Sequence, residues 1–383
     1  MTDSPIREST LALAKDLLSK RSITPDDGGC LDLVEGRLGK LGFRCERIDR
    51  GGVSNLWARR GSGSPLVCFA GHVDVVPPGP MEAWTSDPFT PTERGGNLYA
   101  RGATDMKGAL VAAITAIERF VGKHPEHRGS VGLILTSDEE GVATDGTTAV
   151  VEALAGRGER LDHCIVTEPT SVDRLGDTLK NGRRGSLNGT LTVRGVQCHI
   201  AYPHRGSNPI HLAAPALAEL TRMEWDHGNE YFPPTSFQIS NIHAGTGTVN
   251  VIPGVLNVLF NFRFAPTSTV DALTSKTDEV LARHGLEYDL EWSVMAMPFL
   301  TPRGTLVDVL SESVRTVTGV SPALSTDGGT SDARFIATIA REVAEFGPVN
   351  ESAHKIDEHI RLADLEPLSR IYERSLELLL AEP

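Results

Sequence analysis

The 383-residue chain has no apolar run approaching the ~18 residues that a helix needs to cross a membrane, so a helical membrane protein is not expected. Its first residues, MTDSPIREST, show no basic stretch followed by an apolar one, and no secretory signal is expected. Cysteine is scarce and dispersed. Cys30, Cys45, Cys68, Cys164 and Cys198 are odd in number and form no CxxC pair. That argues against a disulfide framework and a cysteine zinc site, and for reduced thiols in a cytoplasmic protein. Positive charge is also short: 37 Lys and Arg face 50 Asp and Glu, a formal net charge of −13. A chain this acidic is a poor match for non-specific nucleic-acid binding, and a small-molecule enzyme fits better. Repeats and low-complexity segments are missing too. The ordinary balance of 40% hydrophobic and 23% charged residues describes a soluble globular protein. At ~150 residues per domain the length corresponds to between two and three domains.

Apolar runs and helical repeats alternate in the first ~180 residues. Leu66–Ala70, Val131–Leu135 and Cys164–Val166 are short and continuously apolar, as strands buried on both faces of a parallel sheet are. Between the first two, Met106, Leu110, Ala113, Ile114, Ile117 and Val121 recur at helical spacing. This alternation predicts an α/β domain. The middle of the chain differs. Strands are expected over 186–196, 235–243, 256–264 and 287–294, with helices over 208–223 and 268–284. Asn208-Pro209 begins the first of these helices, and Ser268-x-x-Asp271 the second. The order β-α-β-β-α-β is ferredoxin-like, an α+β arrangement. Helices over 306–318, 331–339 and 365–380 and a strand over 342–346 resume the first pattern. The expected organisation is therefore a discontinuous α/β domain, 1–182 and 296–383, with a mostly parallel central sheet, interrupted by a smaller domain, 183–295.

Each predicted buried strand is followed by acids or a histidine. GHVDVVPPG delivers His72 and Asp74, TSDEEG delivers Glu139 and Glu140, and VTEPT delivers Glu168. The late strand leads to His354, and Asp105 opens a helix in LYARGATDMKGA. Ligands of open α/β sheets bind beyond the carboxyl ends of the strands, so distant segments converge there. Singly, each segment has an ordinary reading: an HxD pair is weak, adjacent Glu residues are commonly solvated, and an Asp before a helix commonly serves its dipole. Jointly they form a ligand set. Two histidines and several carboxylates without cysteine suit zinc, or manganese or cobalt at the same ligands. His72, Asp105, Glu140, Glu168 and His354 supply five ligands. With Asp105 bridging, each of two metals ~3.5–4 Å apart has three protein ligands and an open position. Neighbouring residues of an extended segment point to opposite sides, so Glu139 is free to act as general base while Glu140 binds metal. Asp74 is placed to accept the second ring N–H of His72.

The segments GHVDVVPPG, LYARGATDMKGA, TSDEEG, VTEPT and NVIPG resemble the dinuclear zinc aminoacylase/carboxypeptidase family of metallopeptidases. LGDTLKNGRRGSL, HIAYPHRGSNPIH, DGGTSDARFI and GPVNESAHKIDE extend the resemblance, within that family, to the branch that hydrolyses N-succinyl-LL-2,6-diaminopimelate to succinate and LL-2,6-diaminopimelate. The resemblance implies a zinc-peptidase-like catalytic domain with two zinc ions per subunit, for which cobalt or manganese can substitute. His72 and Glu168 would hold one, Glu140 and His354 the other, with Asp105 bridging and the peptide after it cis. It implies a homodimer through the inserted domain, with His199 reaching the partner's site to stabilise an oxyanion. Lys180, Arg183, Tyr202, Asn250, Arg263 and Thr330 match positions that contact an anionic N-acyl amino acid substrate. Departures from the pattern are Val249 for an asparagine, Cys198 and Ala333 for glycines, and Asp357 for an asparagine. Alternatives are a related amidohydrolase, such as an acetylornithine deacetylase or a dipeptidase, and a non-catalytic binding protein on the same fold.

Overall fold

The computed structural model describes residues 4–381. They form two compact units. One comprises Met1–Gly182, Thr301–Ser325 and Ser331–Pro383; the other comprises Arg183–Leu300 and Thr326–Thr330.

The first unit is built on an eight-stranded sheet. Its order is Arg44–Arg47, Asn55–Arg60, Ser130–Thr136, Leu66–His72, Leu161–Val166, Ala340–Glu345, Thr178–Lys180, Ala323–Ser325. The four strands from Ser130–Thr136 to Ala340–Glu345 run parallel. Leu66–His72 and Ser130–Thr136 are buried along their whole length, because helices cover both faces of the sheet. The helix Gly108–Lys123 is buried over most of its length and packs against the final helix Leu362–Leu380. Phe69 of the central strand meets Tyr372 of that final helix edge-on, with ring centroids 5.3 Å apart.

Two differences from the sequence pattern concern the site. Asp105 and Met106 are not helical, at φ −121° and −132°, and the peptide joining them is cis. The helix starts only at Gly108, since the N–H groups of Thr104 and Asp105 are bound by the Glu358 carboxylate. The helix expected over 331–339 shrinks to Ala333–Ile336. Ser331 and Asp332 bond elsewhere, to Glu345 and Thr147. The pattern also gave no hint of the helices Ser4–Leu18 and Cys30–Gly39 or of the two outer strands Arg44–Arg47 and Asn55–Arg60.

The second unit has the order strand Gly185–Arg194, helix Pro209–Arg222, strands Ser236–Ala244 and Val255–Phe264, helix Val270–Arg283, strand Tyr288–Ala296. All pairings are antiparallel, and the sheet runs Ser236–Ala244, Val255–Phe264, Gly185–Arg194, Tyr288–Ala296. This is the ferredoxin-like topology. Leu256, Val258, Phe260, Phe262 and Phe264 alternate inward onto Ala213, Ala216 and Leu220 of the first helix and Leu273 and Leu281 of the second. The Asn208 side chain caps the first helix by accepting from Ile210 N, as its position before Pro209 predicts. The second helix is capped by Thr269 rather than Ser268, because Ser268 donates its hydroxyl to Asp226.

Candidate metal centre

His72 ends the central strand, and Gly71 before it admits no side chain. A Cβ there would lie 2.8 Å from Met106 Cε and 2.9 Å from Thr167 Oγ1. Met106 is therefore seated beneath His72, whose N–H donates to its sulfur at 3.4 Å. The neighbouring parallel strands end beside it and release Glu139, Glu140 and Glu168. All three come from the carboxyl ends of strands, as the topology requires.

Asp105 sits at the middle of the cluster. Its Oδ1 lies 3.3 Å from His72 Nε2, and its Oδ2 lies 3.3 Å from His354 Nε2. His72 Nε2 is 3.9 Å from Glu168 Oε1, and His354 Nε2 is 2.8 Å from Glu140 Oε1. Two triads result, His72–Asp105–Glu168 and Asp105–Glu140–His354, each with ligand atoms within 4.8 Å of one another. One carboxylate is shared, each of its oxygens turned to a different histidine. That is the disposition a bridging ligand between two cations takes.

The electrostatics describe a site short of positive charge. Burial pushes the Glu168 carboxyl well above its usual range, and Asp105 and Glu139 add to the shift. Glu139 is pushed up to about 8, first by burial and then by Asp332, Glu140 and Asp105. Hydrogen bonds to Asp105 and Glu140 lift His354 to about 10. Burial works against a charge on His72, yet Asp105, Asp74 and Glu168 together raise it well above the usual histidine value. Burial also opposes a charge on Asp105, and the two histidines overcome it and hold that carboxyl low. The mixed imidazole and carboxylate donors fit divalent cations, whose charge would answer that shortage.

Asp74 is fully buried and acts differently from expectation. His72 Nδ1 lies 2.9 Å from the backbone carbonyl of Asp74, with the carboxylate Oδ1 farther off at 3.6 Å. The carboxylate instead accepts the N–H groups of Glu139 and Glu140, at 3.3 and 3.1 Å. The ring is oriented by the nearer carbonyl, and the acid holds the loop that carries the candidate base. Asp357 has φ +57°, a region asparagine and aspartate both tolerate, and it accepts from Thr85 N at 2.9 Å. Sequence reasoning missed Glu358, Arg101 and Asp332, all buried. Nothing in the local pattern separates them from exposed acids and bases; only the fold does. A cleft of ~600 Å³ at the sheet edge, lined by Arg44, Trp57, Arg59 and Arg157, contains none of the expected site residues.

Of the expected substrate contacts, Lys180 ends a strand of the first sheet, in register with Glu345. The others belong to the second unit. Arg183 donates to the carbonyls of Asp327 and Gly329, at 3.2 and 3.1 Å, which brings it to the segment that carries Thr330. His199 pairs with Val251, its ring 5.7 Å from that of Tyr202, and Ile200 N donates to Asn250 O at 3.0 Å. Arg263 stands opposite Ser186, and its pKa is lowered first by burial and then by the charge of Arg184. Val249 is 94% exposed.

Residues 68–378 match the model of peptidase family M20/M25/M40. A succinyl-diaminopimelate desuccinylase of Azoarcus sp. is 64% identical over 371 residues, covering 97% of this chain and 98% of that one. Another, of Thiobacillus denitrificans, is 61% identical over 382 residues, covering 100% of this chain and 97% of that one. Among solved structures, the aminopeptidase PepT of Bacillus cereus superposes with a TM-score of 0.82 at 21% identity, covering 97% of this chain and 98% of that one. The YXEP protein of Bacillus subtilis, described as a dinuclear metal binding peptidase, does so with a TM-score of 0.73 at 16% identity, covering 98% and 99%. At such identities the superpositions speak for the fold.

Proposed function

The chain belongs to peptidase family M20/M25/M40, and from that premise we propose that it hydrolyses the amide of N-succinyl-LL-2,6-diaminopimelate, releasing succinate and LL-2,6-diaminopimelate for diaminopimelate and lysine synthesis. The observation that carries the reading is the pair of triads sharing Asp105, in a chain 64% identical, nearly end to end, to a succinyl-diaminopimelate desuccinylase.

His72, Asp105 and Glu168 would hold one zinc ion, and Asp105, Glu140 and His354 a second, with cobalt or manganese able to substitute. Such a pair of cations, when bound, polarises the scissile carbonyl and lowers the pKa of water. Glu139 takes the proton of the attacking water as oxygen bonds to the amide carbon. It passes that proton to the leaving nitrogen as the C–N bond breaks. Asp74 keeps Glu139 in place through its backbone N–H. His199 of the partner subunit stabilises the tetrahedral oxyanion. Lys180, Arg183, Tyr202, Asn250, Arg263 and Thr330 recognise the substrate's carboxylates and polar groups, the arginines by their planar fork. A homodimer through the second unit is supported by the exposed apolar residues Ile210 and Leu212 on its first helix and Ile242 on its edge strand. A cytoplasmic location is supported by the five unpaired cysteines.

The test is a side-by-side comparison of kcat/KM for N-succinyl-LL-2,6-diaminopimelate and N-acetylornithine in zinc-supplemented enzyme. The succinyl substrate is expected to be preferred. Preference for the acetyl substrate would replace this reading with a deacetylase, for which the exposed Val249, in place of an asparagine, is the residue to examine first.

A further inference from the structure

Glu358 lies four residues after His354 and has 0% exposure. Its two carboxylate oxygens accept four hydrogen bonds. Oε1 takes the N–H groups of Thr104 and Asp105, both at 2.9 Å. Oε2 takes Gly102 N at 2.8 Å and Arg101 Nη1 at 2.9 Å. The same Arg101 nitrogen donates to the carbonyl of Lys355, the residue next to His354, at 3.1 Å, and the guanidinium lies 5.0 Å from the Trp84 ring centre. Arg101 is itself 2% exposed. A carboxylate taken out of water needs its lone pairs filled and its charge met, and this one has both.

The arrangement joins two loops that carry ligands. One is the turn from Arg101 to Asp105, whose final residue is the shared carboxylate. The other is the loop from His354 to Glu358, where His354 and Asp357 take the left-handed φ values +61° and +57°. Glu358 thus holds the backbone N–H of Asp105 itself, whose side chain turns one oxygen to each histidine. His72 and Glu168 come instead from strand ends that make no bond to Glu358.

We propose that the Glu358–Arg101 pair is the positioning element of the centre. It registers Asp105 against His354, and it governs the Asp105–Glu140–His354 position more strongly than the His72–Asp105–Glu168 position. The inference rests on the metal reading of the cluster. Glu358→Gln preserves shape, but turns an amide NH2 toward backbone N–H donors, so hydrogen bonds are lost on one side of the site.

The experiment is a Co2+ titration of the metal-free full-length protein, wild type against Glu358→Gln, following stoichiometry, the two stepwise affinities and the cobalt absorption spectrum, with thermal stability measured in parallel. The wild type is expected to bind two equivalents. In the variant, one step is expected to stay near its wild-type affinity while the other weakens roughly 10- to 100-fold, with an altered spectrum and a fall in kcat rather than a rise in KM. A purely structural role would lower thermal stability and leave both steps and the spectrum as they were; that result, or equal weakening of both steps, overturns the inference while the metal reading stands. A wild type that fails to take two equivalents overturns both. If Glu358→Gln does not fold, Arg101→Lys serves. It keeps the positive charge and the three backbone bonds to Glu358, and is expected to show the same selective loss in smaller measure; two unchanged steps there overturn the inference as well.

Discussion

Beyond the strand ends of the first unit, acids crowd together: Asp74, Asp105, Glu139, Glu140, Glu168 and Asp332 surround two histidines, and burial drives several of the carboxyls upward. Around Arg263 of the second unit the sign is reversed. Arg263 is half-buried and its pKa is lowered, first by burial and then by the neighbouring Arg184, whose Nε is buried without a hydrogen-bond partner. Each place gathers charge of one sign, and each suits a different visitor. A crowd of carboxylates with interleaved imidazoles calls for divalent cations. Paired guanidiniums call for carboxylates. In a chain of net charge −13, an anionic substrate needs such local reversals of sign.

The largest effect is expected at Glu139. Replacing it by alanine removes a proton carrier but no expected ligand, so turnover should fall roughly 10²- to 10⁴-fold with two metals still bound. Turnover close to wild type would show that the acid cluster has no separate base. On the basic side, Arg263→Gln should raise KM about 10- to 100-fold, the size of a charged hydrogen bond lost, and leave metal content untouched. A fall in metal content instead would end the division of labour between the units.

A subtler test uses protons. In the metal-free protein His354, lifted to about 10, carries a proton at neutral pH, and uptake of metal must expel it. Calorimetry in buffers of different ionisation enthalpy should register proton release at pH 7, and affinity should rise with pH up to the region of that pKa. Uptake without proton release would remove His354 from the ligand set. The smallest effect belongs to Asp226, where burial is outweighed by hydrogen bonds from Ser268, Thr235 and Gly228 that hold its carboxyl at about 2. Its folded pKa is below the ordinary ~3.9, so its contribution is complete above that value and lost as pH falls through about 2. Asp226→Asn should flatten the acid-induced loss of stability over that window, as followed by circular dichroism, without altering metal uptake.

Much of this was legible in the sequence for a physical reason. Strands buried on both faces are written as unbroken apolar runs, and whatever follows such a run in a parallel sheet is delivered to one edge. His72, Glu140 and Glu168 could be placed from that rule, and the second unit from its clean alternation over Leu256–Phe264. Glu358 could not. Its neighbours Asp357 and His359 look no different in the sequence, and only folding turns one of three polar residues into a buried acceptor of four bonds. The role of Asp74 was likewise hidden, because a backbone carbonyl, which every residue carries, serves the His72 ring. The cap at Thr269 depended on a distant partner, Asp226, drawing Ser268 away.

The central claim, that the acids and histidines of the first unit form a two-cation hydrolytic centre, is tested most directly by zinc titration of the metal-free protein with N-succinyl-LL-2,6-diaminopimelate hydrolysis followed alongside. The account predicts no hydrolysis before metal is added, and two bound equivalents at full activity. Full hydrolysis by the metal-free protein, or saturation of the His72 and His354 positions without any gain in hydrolysis, would contradict it.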